Sequence, residues 1–89
     1  MSRAKLQSDS IHRRSDVNPK RGKHEYGNVT FADTVNNKYP IDTPKHIQAA
    51  WSYINHSDNA AKYVKTEVAK IKRRIKSAAN KVGIEISAD

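Results

Sequence analysis

Six apolar residues, Val64, Val68, Ile71, Ile75, Ala78 and Val82, recur at intervals of 4, 3, 4, 3 and 4. A strand alternates every second residue and cannot bring these side chains to one face, whereas an α-helix gathers all six into one seam. The spacing predicts a helix of about five turns ending at Val82, with its start between Ala60 and Thr66. Gly83 is suited to the left-handed cap that stops such a helix, with Ile84 folding back over the last turn. A second stripe precedes it: Ile47, Ala50, Trp51 and Ile54 stand at i, i+3, i+4 and i+7. Its start is marked by Thr43 as a capping hydroxyl, Pro44 where a missing N–H costs nothing, and Asp42 at the positive end of the dipole. A helix from Pro44 to about Asn55 follows.

The polar run Asn55-His56-Ser57-Asp58-Asn59 separates the two stripes and reads as a turn, so the helices form an antiparallel hairpin with their apolar faces together. Upstream, Gly27-Asn28-Val29-Thr30-Phe31 alternates apolar and polar residues and suits a short strand or an extended segment lying across the helices. Lys38-Tyr39-Pro40-Ile41 is expected to be extended, because Pro40 disfavours the helical region for Tyr39. Tyr39 and Ile41, with Phe31, would seal the hairpin. The fold class expected is mainly α: an antiparallel helical hairpin with an extended or short β segment packed on it, behind a disordered basic arm.

That arm is assigned to residues 1–24 and the helical module to residues 25–89. From Met1 to His24 apolar residues appear singly, as Leu6, Ile11 and Val17, at no regular period. Such a segment buries too little surface to offset its chain entropy. Charge is uneven: residues 1–25 carry seven basic and three acidic side chains, residues 26–59 two and three, and residues 60–89 eight and three. The net charge of +8 draws a chain to polyanions without saying which. With 89 residues there is room for one domain, and a core this thin leads us to expect support from a partner or from self-association. The absence of Cys excludes disulfides and thiolate metal sites and fits a reducing compartment. No signal-peptide or membrane-spanning run is visible, so a cytoplasmic protein without membrane contact is expected.

Several strings stand out: Phe31-Ala32-Asp33, Lys38-Tyr39-Pro40-Ile41-Asp42-Thr43, His46-Ile47, Ala49-Ala50-Trp51-Ser52-Tyr53-Ile54-Asn55, Asn59-Ala60-Ala61-Lys62-Tyr63 and Ile71-Lys72-Arg73-Arg74-Ile75. In these, roughly residues 24–86 resemble a family of small bacterial and phage-encoded proteins that has no assigned function. The resemblance implies a compact module and supplies no activity. This chain departs from the family pattern at Val64-Lys65, where a helix cap is usual, and the arm Met1–Lys23 is expected to be its own.

Catalytic chemistry finds few footholds. His46 and His56, the two histidines of the module, are ten residues apart with no Cys or H-x-x-x-H beside them, so no metal site is expected. Asp42 and His46, at i and i+4, read as an ion pair of the capping turn. Ser52, His56 and Asp58 spell a triad at an exposed tip with no concave wall or oxyanion donors. Gly22, Gly27 and Gly83 build no phosphate-cradling loop. A non-enzyme without cofactor or small-molecule substrate is expected.

Binding is the better prospect. Along the second helix Lys62, Lys65, Lys72, Arg73 and Lys76 occupy one flank without an acidic neighbour, whereas Glu67 tempers Lys70 and Arg74 on the other. That flank, with Arg13, Arg14, Lys20 and Arg21 of the arm, is the candidate contact to DNA or RNA backbone, weighed against an ordinary solvated helix and a solubilising tail. The alternative is a protein-interaction or phage-derived structural or regulatory module that presents Tyr39, Tyr53 and His56 to a protein. Trp51 lies in the apolar stripe and is assigned to the core in preference to base stacking.

Overall fold

Thr43 accepts a hydrogen bond from the His46 amide at 3.1 Å, Pro44 occupies the first turn, and the helix they open runs Pro44–Ile54. Its stripe of Ile47, Ala50, Trp51 and Ile54 is buried as the spacing requires. The computed structural model describes residues 11–86. Along them come α1 (Pro19–Tyr26), β1 (Phe31–Asp33), β2 (Lys38–Pro40), α2 (Pro44–Ile54), α3 (Ser57–Ala60) and α4 (Lys65–Val82). The described residues are mainly helical, with one two-stranded antiparallel sheet that pairs Phe31 with Pro40 and Asp33 with Lys38. The polar run expected as a plain turn leads into the single-turn α3, which extends one residue beyond it to Ala60.

α4 packs on α2 and β1, and Ile47, Ile54, Ile71 and Ile75 are fully enclosed between them. The seam expected along α4 is only partly the buried face. Ile71 and Ile75 are buried and Val68 and Ala78 half-buried, but Val64 and Val82 are 57% and 49% exposed, while Glu67 and Ala79 are enclosed. The reason is length. Eleven residues of α2 rise about 16 Å and eighteen of α4 about 27 Å, so the ends of α4 overhang its partner. Gly83 adopts the left-handed conformation (φ 75°, ψ 29°), and the Ile84 amide returns to the Ala79 carbonyl at 3.0 Å, closing the helix as expected.

β1 and β2 form a hairpin, and β1 takes in only the last residue, Phe31, of the alternating segment, whose residues 27–30 lie outside any strand. The strand holding Lys38, Tyr39 and Pro40 is not simply extended, however, for Tyr39 has φ 62°. A left-handed backbone costs a non-glycine residue roughly 1–2 kcal/mol, and here it accompanies burial of the Tyr39 ring against Tyr63, 6.4 Å between centroids.

The largest departure from expectation is the arm. Within residues 11–24 the chain is docked: Asn18 caps α1 by accepting from the Lys20 amide, and Gly22 packs so tightly on the β1–β2 loop that a Cβ would collide with Asn37. Ahead of α1, residues 11–16 form a strap across the hairpin and the start of α4. Ile11 is 3% exposed, and the strap's remaining anchors are polar. The disorder expected of residues 1–10 concerns positions outside the described residues.

Candidate nucleic-acid interface

Glu67 sits in the first turn of α4, where its carboxylate serves two neighbours. It accepts from the Val64 amide at 2.9 Å, which completes half of a capping box, and from the His12 amide at 2.7 Å, with the His12 ring also 2.9 Å away. Deeper in, Asp33 accepts from the Val35 and Asn36 amides through Oδ1 and from Asn36 Nδ2 and the Tyr63 hydroxyl through Oδ2. Asn36 reaches the strap in both directions, accepting from the Arg14 amide at 2.7 Å and donating to the His12 carbonyl at 3.0 Å. Arg14 donates to the Tyr63 oxygen at 3.1 Å and is paired with Asp16 at 2.6 Å.

Electrostatics follow from this geometry. Asp16 beside it holds the Arg14 guanidinium charged more firmly than usual, and Arg14 in turn holds the Asp16 carboxyl well below the ordinary carboxylate range. Burial, with Asp33 behind it, pushes the Tyr63 phenol up. Glu67 is opposed by burial, which alone would raise it, but the hydrogen bonds from Val64 and His12 prevail and lower it. Because the folded state holds Glu67 below its ordinary value of 4.5, its contribution is present above that value and lost as pH falls through the depressed one. The urea midpoint should therefore decline in that acid window, and Glu67→Gln should start lower and flatten the decline. An unchanged acid limb in the variant would show that Glu67 is not its source. Arg14, Asp33, Asn36, Tyr63 and Glu67 are buried within this network while His12 and Asp16 lie at its edge, half exposed, and together the hydrogen bonds fasten the strap to the module.

The cations of α4 are arranged otherwise. Lys65, Arg73 and Lys76 are exposed and Lys72 is half-buried. At about 100° per residue the four share one arc of the helix. The ammonium groups of Lys72 and Lys76 lie 5.7 and 5.6 Å from the centroid of the Trp51 ring, close enough for cation–π attraction to hold the lysine stems in place. Trp51 itself is 6% exposed, as its place in the apolar stripe requires. Its indole N–H is buried without an acceptor among the described residues, so the ring serves packing. Among the described residues none of the four cations is ion-paired. The flank ends at a shallow depression of about 420 Å³ lined by Arg73, Lys76, Asn80, Ile84 and Ile86. On the opposite flank Arg74 donates to the Ala32 carbonyl at 2.8 Å and so helps to fix β1. Glu67, expected to temper that flank, also accepts from His12 and Val64.

The remaining candidates separate cleanly. Arg14 is withdrawn from the candidate phosphate contacts, since it is 7% exposed and committed to Asp16 and Tyr63. Arg13, Lys20 and Arg21 are exposed. Tyr39 is withdrawn from the partner surface, being 7% exposed, because its positive φ accompanies a ring turned into the core. Tyr53 is 59% exposed and His56 is exposed as well. Asp42 and His46 make the expected pair at 2.6 Å.

Sequence reasoning missed a groove of about 520 Å³, with Arg21, Glu25 and Tyr26 of α1 on one wall and His46, Ala49 and Tyr53 of α2 on the other. Its signal lay in Asn18-Pro19, a cap followed by a first-turn proline like Thr43-Pro44, which opens α1. Among the described residues no cluster of three metal-ligating side chains occurs, and no helix is long and apolar enough to cross a membrane.

No curated protein and no solved structure matches the chain. A family model matches residues 7–89, so most of the basic arm falls inside the matched region, which was expected to begin near residue 24. By that match the chain belongs to a family of unknown function (DUF6582).

Proposed function

We propose that this protein is a non-enzymatic accessory module that associates with nucleic acid through the phosphate backbone, without reading sequence. The observation that carries the reading is the set of Lys65, Lys72, Arg73 and Lys76 on one arc of α4 with no ion pair among the described residues. Cations left unpaired on a surface of net charge +8 are available to displace condensed counterions from a polyanion. Support for a non-enzymatic role comes from the titratable cluster around Asp33 and Tyr63, which is enclosed and spent on mutual hydrogen bonds. A second reading, a protein-interaction module, draws on the exposure of Tyr53 and Tyr26 at 59% and 40%.

The test is the salt dependence of binding. Replacing Lys65, Lys72, Arg73 and Lys76 together with glutamine should weaken binding to unrelated sequences alike. The slope of log affinity against log salt should fall by about 0.7–0.9 for each phosphate that is no longer neutralised. Lys45 and Lys81 are exposed cations off this arc, and their double replacement is the comparison. An equal loss per charge from the pair would mean diffuse attraction with no site. Absence of binding by the intact protein at ~100 mM salt would remove the reading in favour of a protein partner.

A further inference from the structure

We infer that the groove between α1 and α2 receives single-stranded nucleic acid, with an unstacked base against Tyr26 and Tyr53 and flanking phosphates near Arg21 and Lys38. The inference rests on the nucleic-acid reading and names the form of the partner.

The groove exists because α1 can lie close to the hairpin. Gly22 has no Cβ to strike Asn37, and Asn37 ties back to the Pro19 carbonyl at 3.0 Å, which fixes the helix against the start of β2. The face of α1 carrying Arg21, Glu25 and Tyr26 then confronts the face of α2 carrying His46, Ala49 and Tyr53, with Lys38 and Pro40 of β2 along the base. At about 520 Å³ the space is within the range of about 300–1,000 Å³ that holds small ligands.

Its chemistry suits a base with phosphates on either side. The Tyr26 ring is close to perpendicular to the rings of His46, at 5.4 Å, and Phe31, at 6.2 Å, so it is held in place while remaining 40% exposed. Opposite it, Tyr53 is 59% exposed. Aromatic faces of this kind stack on any base, without sequence preference. Charge complements the aromatic walls: Arg21 and Lys38 line the groove, and Lys20 and Lys23 are exposed on the same α1. Against them stand two carboxylates, of which Asp16 is already neutralised by Arg14 at 2.6 Å and Lys62 at 3.6 Å, leaving Glu25.

Single strands are favoured over duplex by position. Tyr53 and Ala49 lie about 160° around α2 from Trp51, and the Trp51 ring carries Lys72 and Lys76 of the α4 flank on its own side. The two surfaces therefore face apart on a body measuring 36 × 28 × 26 Å. A flexible single strand can pass from one to the other, whereas a duplex with a persistence length of about 150 base pairs cannot bend that far over so short a span.

The experiment compares the full chain's binding of an oligothymidylate of about 12 nucleotides, within the usual site sizes for single strands, with its binding of a duplex of equal length at ~100 mM salt. The single strand should bind more tightly. Tyr53→Ala should weaken it roughly 5- to 150-fold, the loss of one stacked base, and leave duplex binding unchanged, while Tyr53→Phe restores it. Replacing the four cations of the α4 flank should weaken both ligands, which separates that surface from the groove. Wild-type affinity of Tyr53→Ala for the oligothymidylate, or equal affinity of the protein for both ligands, would overturn the groove assignment alone. Failure of both ligands to bind would overturn it together with the nucleic-acid reading.

Discussion

Ile71→Ala should lower the unfolding free energy by about 2–5 kcal/mol, as is usual when a large aliphatic side chain is deleted from a tight core. Ile71 is completely enclosed, in the middle of α4 and in the same core cluster as Ile47 and Ile54 of α2. Collapse into the space is hindered because α4 is also held by Arg74 to β1 and by Glu67 to the strap. Domains have only about 5–15 kcal/mol in total, so the variant should unfold at a much lower urea concentration or fail to fold. Trp51→Ala should be comparably severe, about 3–5 kcal/mol, since the ring is buried and also carries the stems of Lys72 and Lys76. Tyr53→Ala, three-fifths exposed, should change stability little. Equal losses at all three positions would mean that α2 presents a different face to the core.

Removing residues 1–16 should abolish the cooperative unfolding transition. Composition alone predicts the opposite, because the segment is polar and aperiodic and a tail of that kind is dispensable. The structure reverses that expectation through three anchors. Ile11 fills a place in the core, worth about 1.5–3 kcal/mol of burial. His12 supplies two of the groups that satisfy Glu67, and Arg14 engages Asn36 and Tyr63. Without the strap Asn36 and Tyr63 lose their Arg14 donors and Glu67 keeps only the Val64 amide, at about 1–3 kcal/mol for each group left unsatisfied. Arg14→Ala isolates one anchor: it removes a donor from Tyr63 and leaves Asp16 without its guanidinium, and it should be destabilising, though less so than the truncation. A sharp, two-state transition in the chain beginning at residue 17 would show that the strap merely rests on the module.

How far the candidate sites were legible depends on how local their parts are. The α4 flank was readable because Lys65, Lys72, Arg73 and Lys76 belong to one helix, and helical period alone brings them to one side. The groove was not, because it needs α1, β2 and α2 to meet, and the contact that sets α1 in place is the absence of a side chain at Gly22. Tyr39 illustrates the same limit: the sequence offered it both a place sealing the hairpin and a place on a partner surface, and the packed ring against Tyr63 chose the first.

Local physics determined α2 and the end of α4. Thr43-Pro44 starts one helix, the repeat from Ile47 to Ile54 orients it, Asp42 and His46 pair across one turn, and Gly83 ends the other helix. Each of these acts over at most seven residues, so the sequence alone suffices. Tertiary structure alone decided that the strap is part of the fold and that Glu67 belongs inside while Val64 and Val82 remain out. The strap's hydrogen bonds join residues separated by 22, 49 and 55 positions: Arg14 with Asn36, Arg14 with Tyr63, and His12 with Glu67. A buried hydrogen bond requires only one donor and one acceptor at the right place, so it leaves no period or composition bias in the chain to mark where its partner lies.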